Sequence, residues 1–186
     1  TVQPWRSRTH SLEDLQVAVA LTRSNVPEGR PGLRGASVLD LVFADPETPV
    51  LGTRERLGAE FRWRPGPVSV KAEYLRVATE RRTQGVDDDD LPPLLGDGWY
   101  VSGTWVVTGE RKADGLRRPR RPVHRGGWGA IELAGRLERL AFRSDGGLGE
   151  PSTSPRAQVV PPESVRVITA GVNWYLNAHV KVQLNT

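Results

Sequence analysis

The chain has 186 residues, enough for one domain with a sizeable core. It holds no Cys and no Met, which excludes disulfides and thiolate metal sites and fits an oxidising compartment. Its longest clean apolar run, Val17-Ala-Val-Ala-Leu21, is far too short for a helix to span a bilayer. A net charge of +4 permits anionic partners without naming one, and Thr1 opens no leader of charged and then apolar residues, so no signal peptide is expected.

Taken in order, the chain reads as short strands between Gly-, Pro-, Asp- and Arg-rich connections, with no 3.6-residue pattern and no helix start signal. Leu15 to Arg23 sets Leu15, Val17, Val19 and Leu21 against Gln16, Ala18, Ala20 and Thr22, the period of a strand with one apolar face. Gly35 to Ala44 predicts a second, weaker strand. Arg54 to Arg64 places Leu57, Ala59, Phe61 and Trp63 opposite Arg56, Gly58, Glu60 and Arg62, and Pro65-Gly66 turns the chain. Val68, Val70, Ala72 and Tyr74 then alternate with Ser69, Lys71 and Glu73. Beyond Tyr74 the phase slips, which predicts a bulge or an exit from a membrane. Arg81 to Gly98 reads as a loop with the acidic run Asp87 to Asp90, and Trp99 to Thr108 as a strand.

Glu110 to Gly126 is a basic connection, and Gly129 to Glu138 is a strand that sets Ile131, Leu133 and Leu137 against Glu132, Arg136 and Glu138. A loop from Ser144 to Pro162 leads into a final pair. Ile168 to Leu176 and Val180 to Asn185 flank Asn177-Ala178-His179, where Asn suits a tight turn. The total is about eight strands, all in one domain over residues 1–186.

Every strand has one apolar and one polar face. A soluble β-sandwich, for example a carbohydrate-binding module, would pack the apolar face on a second sheet; a membrane barrel would turn it to lipid and the polar face to a wet lumen. The two very short turns fall on one side of the sheet. Trp63, Trp105 and Trp174 cluster toward that side, as in an aromatic girdle, to which Trp99 is also assigned. Leu133 is expected nearer the midplane than Trp174. The polar face offers Arg56, Arg62, Lys71, Arg136 and Lys181 as a path for anions, opposed by Glu60, Glu73, Glu132 and Glu138; ion pairing between neighbouring strands is the competing reading.

Catalysis has little support. His10, His124 and His179 are scattered, and no nucleophile elbow, phosphate loop or zincin motif occurs. Glu132 and Glu138 share a face but lie about 20 Å apart at 3.3 Å per residue, too far for a glycosidase pair. Asp87 to Asp90 lacks the spacing of a calcium loop. Arg111 to Arg125 carries seven Lys and Arg but no interleaved aromatics, so it is read as a basic connection and not a nucleic-acid arm. No cofactor, metal or nucleic acid is expected.

Five segments, in order, carry a resemblance. Arg56-Leu-Gly-Ala-Glu-Phe61, Pro65-Gly-Pro-Val-Ser-Val-Lys-Ala-Glu-Tyr74, Gly98-Trp-Tyr-Val-Ser-Gly-Thr-Trp-Val-Val-Thr-Gly-Glu110, Gly127-Trp-Gly-Ala-Ile-Glu-Leu-Ala-Gly-Arg136 and Gly171-Val-Asn-Trp-Tyr-Leu-Asn177 resemble the phosphate-selective porin O and P family, over roughly residues 54 to 186. The resemblance implies an all-β antiparallel barrel of about sixteen strands in the outer membrane of a Gram-negative-type bacterium. It also implies a homotrimer, contact with outer-membrane lipid and lipopolysaccharide, and passage of phosphate or other small inorganic anions. It further implies that this chain is the C-terminal part of the barrel, with the family's main anion-binding elements in the rest.

Overall fold

A computed structural model describes residues 12, 14–30, 32–36, 42–44, 47–112 and 119–186. Among these described residues nine strands follow in order: β1 (Gln16–Arg30), β2 (Gly35–Ala36), β3 (Val42–Ala44), β4 (Val50–Trp63), β5 (Val68–Arg81), β6 (Leu91–Val106), β7 (Ala130–Ser144), β8 (Glu163–Tyr175) and β9 (Lys181–Asn185). Seven of them form one antiparallel sheet in the order β1-β4-β5-β6-β7-β8-β9, while β2 and β3 pair only with each other. Consecutive sheet strands are neighbours throughout, so the sheet is an up-and-down meander. It is not closed: among the described residues the outer edges of β1 and β9 have no strand partner.

The all-β expectation is met, with differences at the ends of elements. Gly35 to Ala44 is not a sheet strand but a two-stranded hairpin within the β1–β4 connection, and residues 37–41 lie outside the described ones. The strand predicted to stop at Arg23 runs on to Arg30. Its ladder continues through Asn25 opposite Thr53 and Val26 opposite Gly52, then breaks register around Pro27, which has no N–H to give. Likewise β6 starts at Leu91, so Leu-Pro-Pro is strand and not loop; a register break between Thr79 and Arg81 accommodates the two prolines.

The phase slip after Tyr74 is not a bulge. Pairing of β5 with β6 is unbroken from Val68–Trp105 to Thr79–Leu94, so Leu75 and Val77 stay on the face of Lys71 and Glu73. Leu75 itself is half exposed, but beyond it, toward the long-loop side, chain packs on that face. Val26, Val50, Leu94 and Val160 are buried together, with Leu33 against them. Gly96 makes room for this: a Cβ there would meet Leu33 Cδ1 at 3.0 Å and Phe142 Cε1 at 3.1 Å. The buried Arg81 fastens the β7–β8 loop, donating from Nη1 to the Ala157 carbonyl and from Nη2 to the Pro155 carbonyl, each at 3.0 Å. Leu94→Ala empties the centre of this cluster and is expected to cost about 2–5 kcal/mol, read as a lower urea midpoint; an unchanged midpoint would place the cluster outside the cooperative core.

The opposite face is apolar and bare. Leu21 is 78% exposed and Ile168 77%, with Trp105, Leu133, Leu137 and Val172 also open. Among the described residues no second sheet covers this face, whereas connections pack on the polar face. A soluble sandwich does the reverse, burying the apolar side. An uncovered apolar face of this breadth on a folded sheet is the arrangement of a wall that meets lipid.

Candidate functional site

Register decides what the polar face can do. Arg62 lies opposite Lys71, Lys71 opposite Ser102, and Ser102 opposite Arg136. Two residues along each strand, Glu60 lies opposite Glu73, Glu73 opposite Tyr100, and Tyr100 opposite Glu138. A basic row therefore runs beside an acidic row, about 7 Å away along the strands. The ladder of ion pairs between neighbouring strands does not form among these residues, because like charge faces like. Opposite charges meet within a strand instead: Arg136 Nε contacts Glu138 Oε2 at 2.5 Å while its guanidinium lies 3.9 Å over the Tyr100 ring. Arg62 Nη2 donates to Gln16 Oε1 at 2.5 Å. Glu60 and Lys71 have no ion-pair partner among the described residues, and both line a cavity of about 220 Å³ with Arg62, Glu73 and Tyr100. Like charges directly opposite are unfavourable in a dry sheet and tolerable only where water and ions reach them.

The structure thus brings Arg62, Lys71 and Arg136 together. Arg56 stands apart, about 20 Å along β4 from Arg62, donating to Ser24 Oγ at 3.4 Å. Lys181 stands apart at the short-turn end, 5.8 Å from the Tyr175 ring centroid and 2.8 Å from Gln183 Oε1.

Glu132 is not one of the open charges. It is buried, and Lys112 from the β6–β7 connection forms an ion pair with it. Glu132 Oε2 also accepts from Tyr175 Oη at 2.8 Å and Asn173 Nδ2 at 3.1 Å. Lys112 Nζ donates to Thr104 Oγ1 as well, and its backbone N–H reaches the Gly66 carbonyl at 2.8 Å. The connection is therefore folded back over the polar face and tied to the β4–β5 turn. The Val123 N–H, bonded to the Leu176 carbonyl at 2.9 Å, ties it to the β8–β9 turn as well. Sequence reasoning read Lys112 only as part of a basic connection; that the connection is far longer than a turn needs was the available signal for its return. Arg120, Arg121 and Arg125 are exposed, and Arg117 and Arg118 lie outside the described residues, as does His10. In the β8–β9 turn Asn177 acts as anticipated, its Oδ1 accepting from the N–H groups of His179 at 2.7 Å and Val180 at 2.9 Å.

On the apolar face, Trp63 shares a row with Gly103, two residues short of Trp105. Trp105 shares a row with Val172, two residues short of Trp174. That stagger is one residue per strand. With about 3.3 Å per residue and about 4.8 Å between strands, the three indoles fall on one level when the strands tilt by about 35°, the tilt of a barrel. Trp99 is on the same face of β6 but about 20 Å toward the long-loop side, opposite Tyr74.

A family model described as phosphate-selective porin O and P matches residues 42–186. The chain is also 27% identical over 133 residues to Porin O of Pseudomonas aeruginosa, an alignment covering 67% of this chain and 27% of that protein. The chain thus spans about a quarter of the length of that relative. Proteins of this family reside in the outer membrane of Gram-negative bacteria, a setting that accounts for the bare apolar face. With a match over most of its length and a sheet that faces lipid on one side and charge on the other, the chain belongs to the phosphate-selective porin O and P family.

Proposed function

We propose that this sheet is part of the wall of a larger outer-membrane barrel, of sixteen strands in the family's pattern, that passes small solutes by passive diffusion and performs no catalysis. The observation that carries the reading is the pairing of a bare apolar face with an opposite face bearing charged rows open to water. Trp63, Trp105 and Trp174 form the short-turn girdle in this reading, and Trp99 belongs to the long-loop girdle with Tyr74. The solutes include small inorganic anions, phosphate among them, drawn by the Arg62–Lys71–Arg136 row; the adjacent acidic row keeps selectivity weak. The assembly is a homotrimer surrounded by outer-membrane lipid and lipopolysaccharide.

The test is the reversal potential of the full-length barrel in a planar bilayer under a KCl gradient, with phosphate then added. A potential set by chloride, with phosphate reducing the current, supports the anion path; folded protein without conductance ends the channel reading. Lys71→Glu changes the wall by two charges. At about 7 Å in water this is worth about 1 kcal/mol to a passing ion, so the chloride-to-potassium permeability ratio is expected to fall severalfold, less so at high salt. An unmoved reversal potential would exclude this row from the ion path.

A further inference from the structure

On the outward face, just beyond the Tyr74–Trp99 pair on the long-loop side, the apolar surface gives way to arginine. Arg139 lies directly opposite Arg166, and Trp99 is the other register neighbour of Arg139. The same tilt that levels Trp63, Trp105 and Trp174 lifts Arg139 and Arg166 by about one and two residues beyond Trp99. One row further, Arg76 faces Asp97, and beyond that Arg143 reaches back to Asp97, Nη1 to Oδ1 at 2.5 Å. Two other carboxylates on this face of the neighbouring strands are already engaged: Glu55 pairs with Arg23 at 3.7 Å and Glu80 with Arg82 at 2.8 Å. Asp97 is thus shared by Arg76, its register neighbour, and Arg143, its ion-pair partner. Among the described residues Arg139 and Arg166 have no acidic partner, and the buried Nε of Arg139 has no acceptor.

Two arginines set face to face on a sheet repel unless an anion lies between them. The guanidinium fork is suited to phosphate oxygens, which it meets with two parallel hydrogen bonds. Outward-facing side chains at the edge of the apolar band stand at the level of lipid headgroups, and on the long-loop side of a barrel that leaflet is the outer one. We propose that Arg139 and Arg166, with Arg76 and Arg143 beside them, bind the phosphates of a lipopolysaccharide headgroup and so hold one lipid against the barrel wall. This rests on the outer-membrane barrel reading above but not on the channel being open.

The test is binding of lipid A to the full-length protein, purified in detergent and freed of lipopolysaccharide. Diphosphoryl lipid A is compared with lipid A of the same acyl chains from which both phosphates have been removed, with inorganic phosphate as competitor. We expect at least tenfold tighter binding of the phosphorylated form, little competition by millimolar inorganic phosphate, and loss of the difference in the R139Q/R166Q double variant. The double variant should keep its far-ultraviolet circular dichroism and its conductance in KCl. Equal binding of the two lipids, or a difference that survives in the folded double variant, overturns the proposal. Competition by inorganic phosphate at equal strength assigns the cluster to soluble anions and overturns it too. Wild-type protein that prefers the phosphorylated lipid but conducts no current would count against the channel reading alone.

Discussion

Lys112→Met is expected to cost about 3–5 kcal/mol, the loss seen when one member of a buried ion pair is removed and its partner stays behind. Glu132 is 3% exposed, so without the ammonium its carboxylate is left with neutral donors, Tyr175 and Asn173 among them, and little access to solvent in place of Lys112. The β6–β7 connection should come loose with it, because Lys112 joins that segment to Thr104 and Glu132 while its own N–H is held by the Gly66 carbonyl. Urea unfolding in lipid measures the cost. Pairing Lys112→Met with Glu132→Leu supplies the control: an apolar pair of similar volume should recover most of the loss, since what destabilises is the orphaned charge. A loss below about 1 kcal/mol in the single variant would mean that the ammonium is solvated and the connection merely rests on the sheet.

The second large effect belongs to the opposite face. Val101 and Gly103 lie between Trp99 and Trp105 on a single strand, so Val101 is inside the apolar band whatever the tilt. Val101→Arg should cost about 2–4 kcal/mol in lipid, the depth-dependent cost of arginine near the middle of a bilayer. Trp174→Arg, at the edge of the band, should cost little to about 1 kcal/mol. The sequence pattern singled out Leu133 as a deep position, but register sets it beside Trp105, near the short-turn edge. Leu133→Arg is therefore expected to fall between the two. Equal small losses at Val101 and Trp174 would remove the lipid-facing assignment.

What the residues determine by themselves is which way each side chain points. Strict alternation fixes faces without any tertiary information, since a strand has a period of two; that is why Leu57, Phe61, Trp105 and Val172 could be separated from Arg62, Lys71 and Arg136 on paper. Turn chemistry is equally local, so Pro65-Gly66 and Asn177 marked two of the hairpins, and five short segments sufficed for the family. Alternation says nothing about register, because sliding a strand by two residues leaves every side chain on its face while changing every neighbour. Only the folded sheet set Arg62 against Lys71, Glu60 against Glu73 and Arg139 against Arg166, giving separate rows of like charge where a ladder of ion pairs had been the competing reading. Long-range packing was likewise out of reach. Whether Lys112 is solvated or buried against Glu132, and whether chain packs over the polar face to bury Val26, Val50, Leu94 and Val160, depends on where connections return, and no local pattern records that.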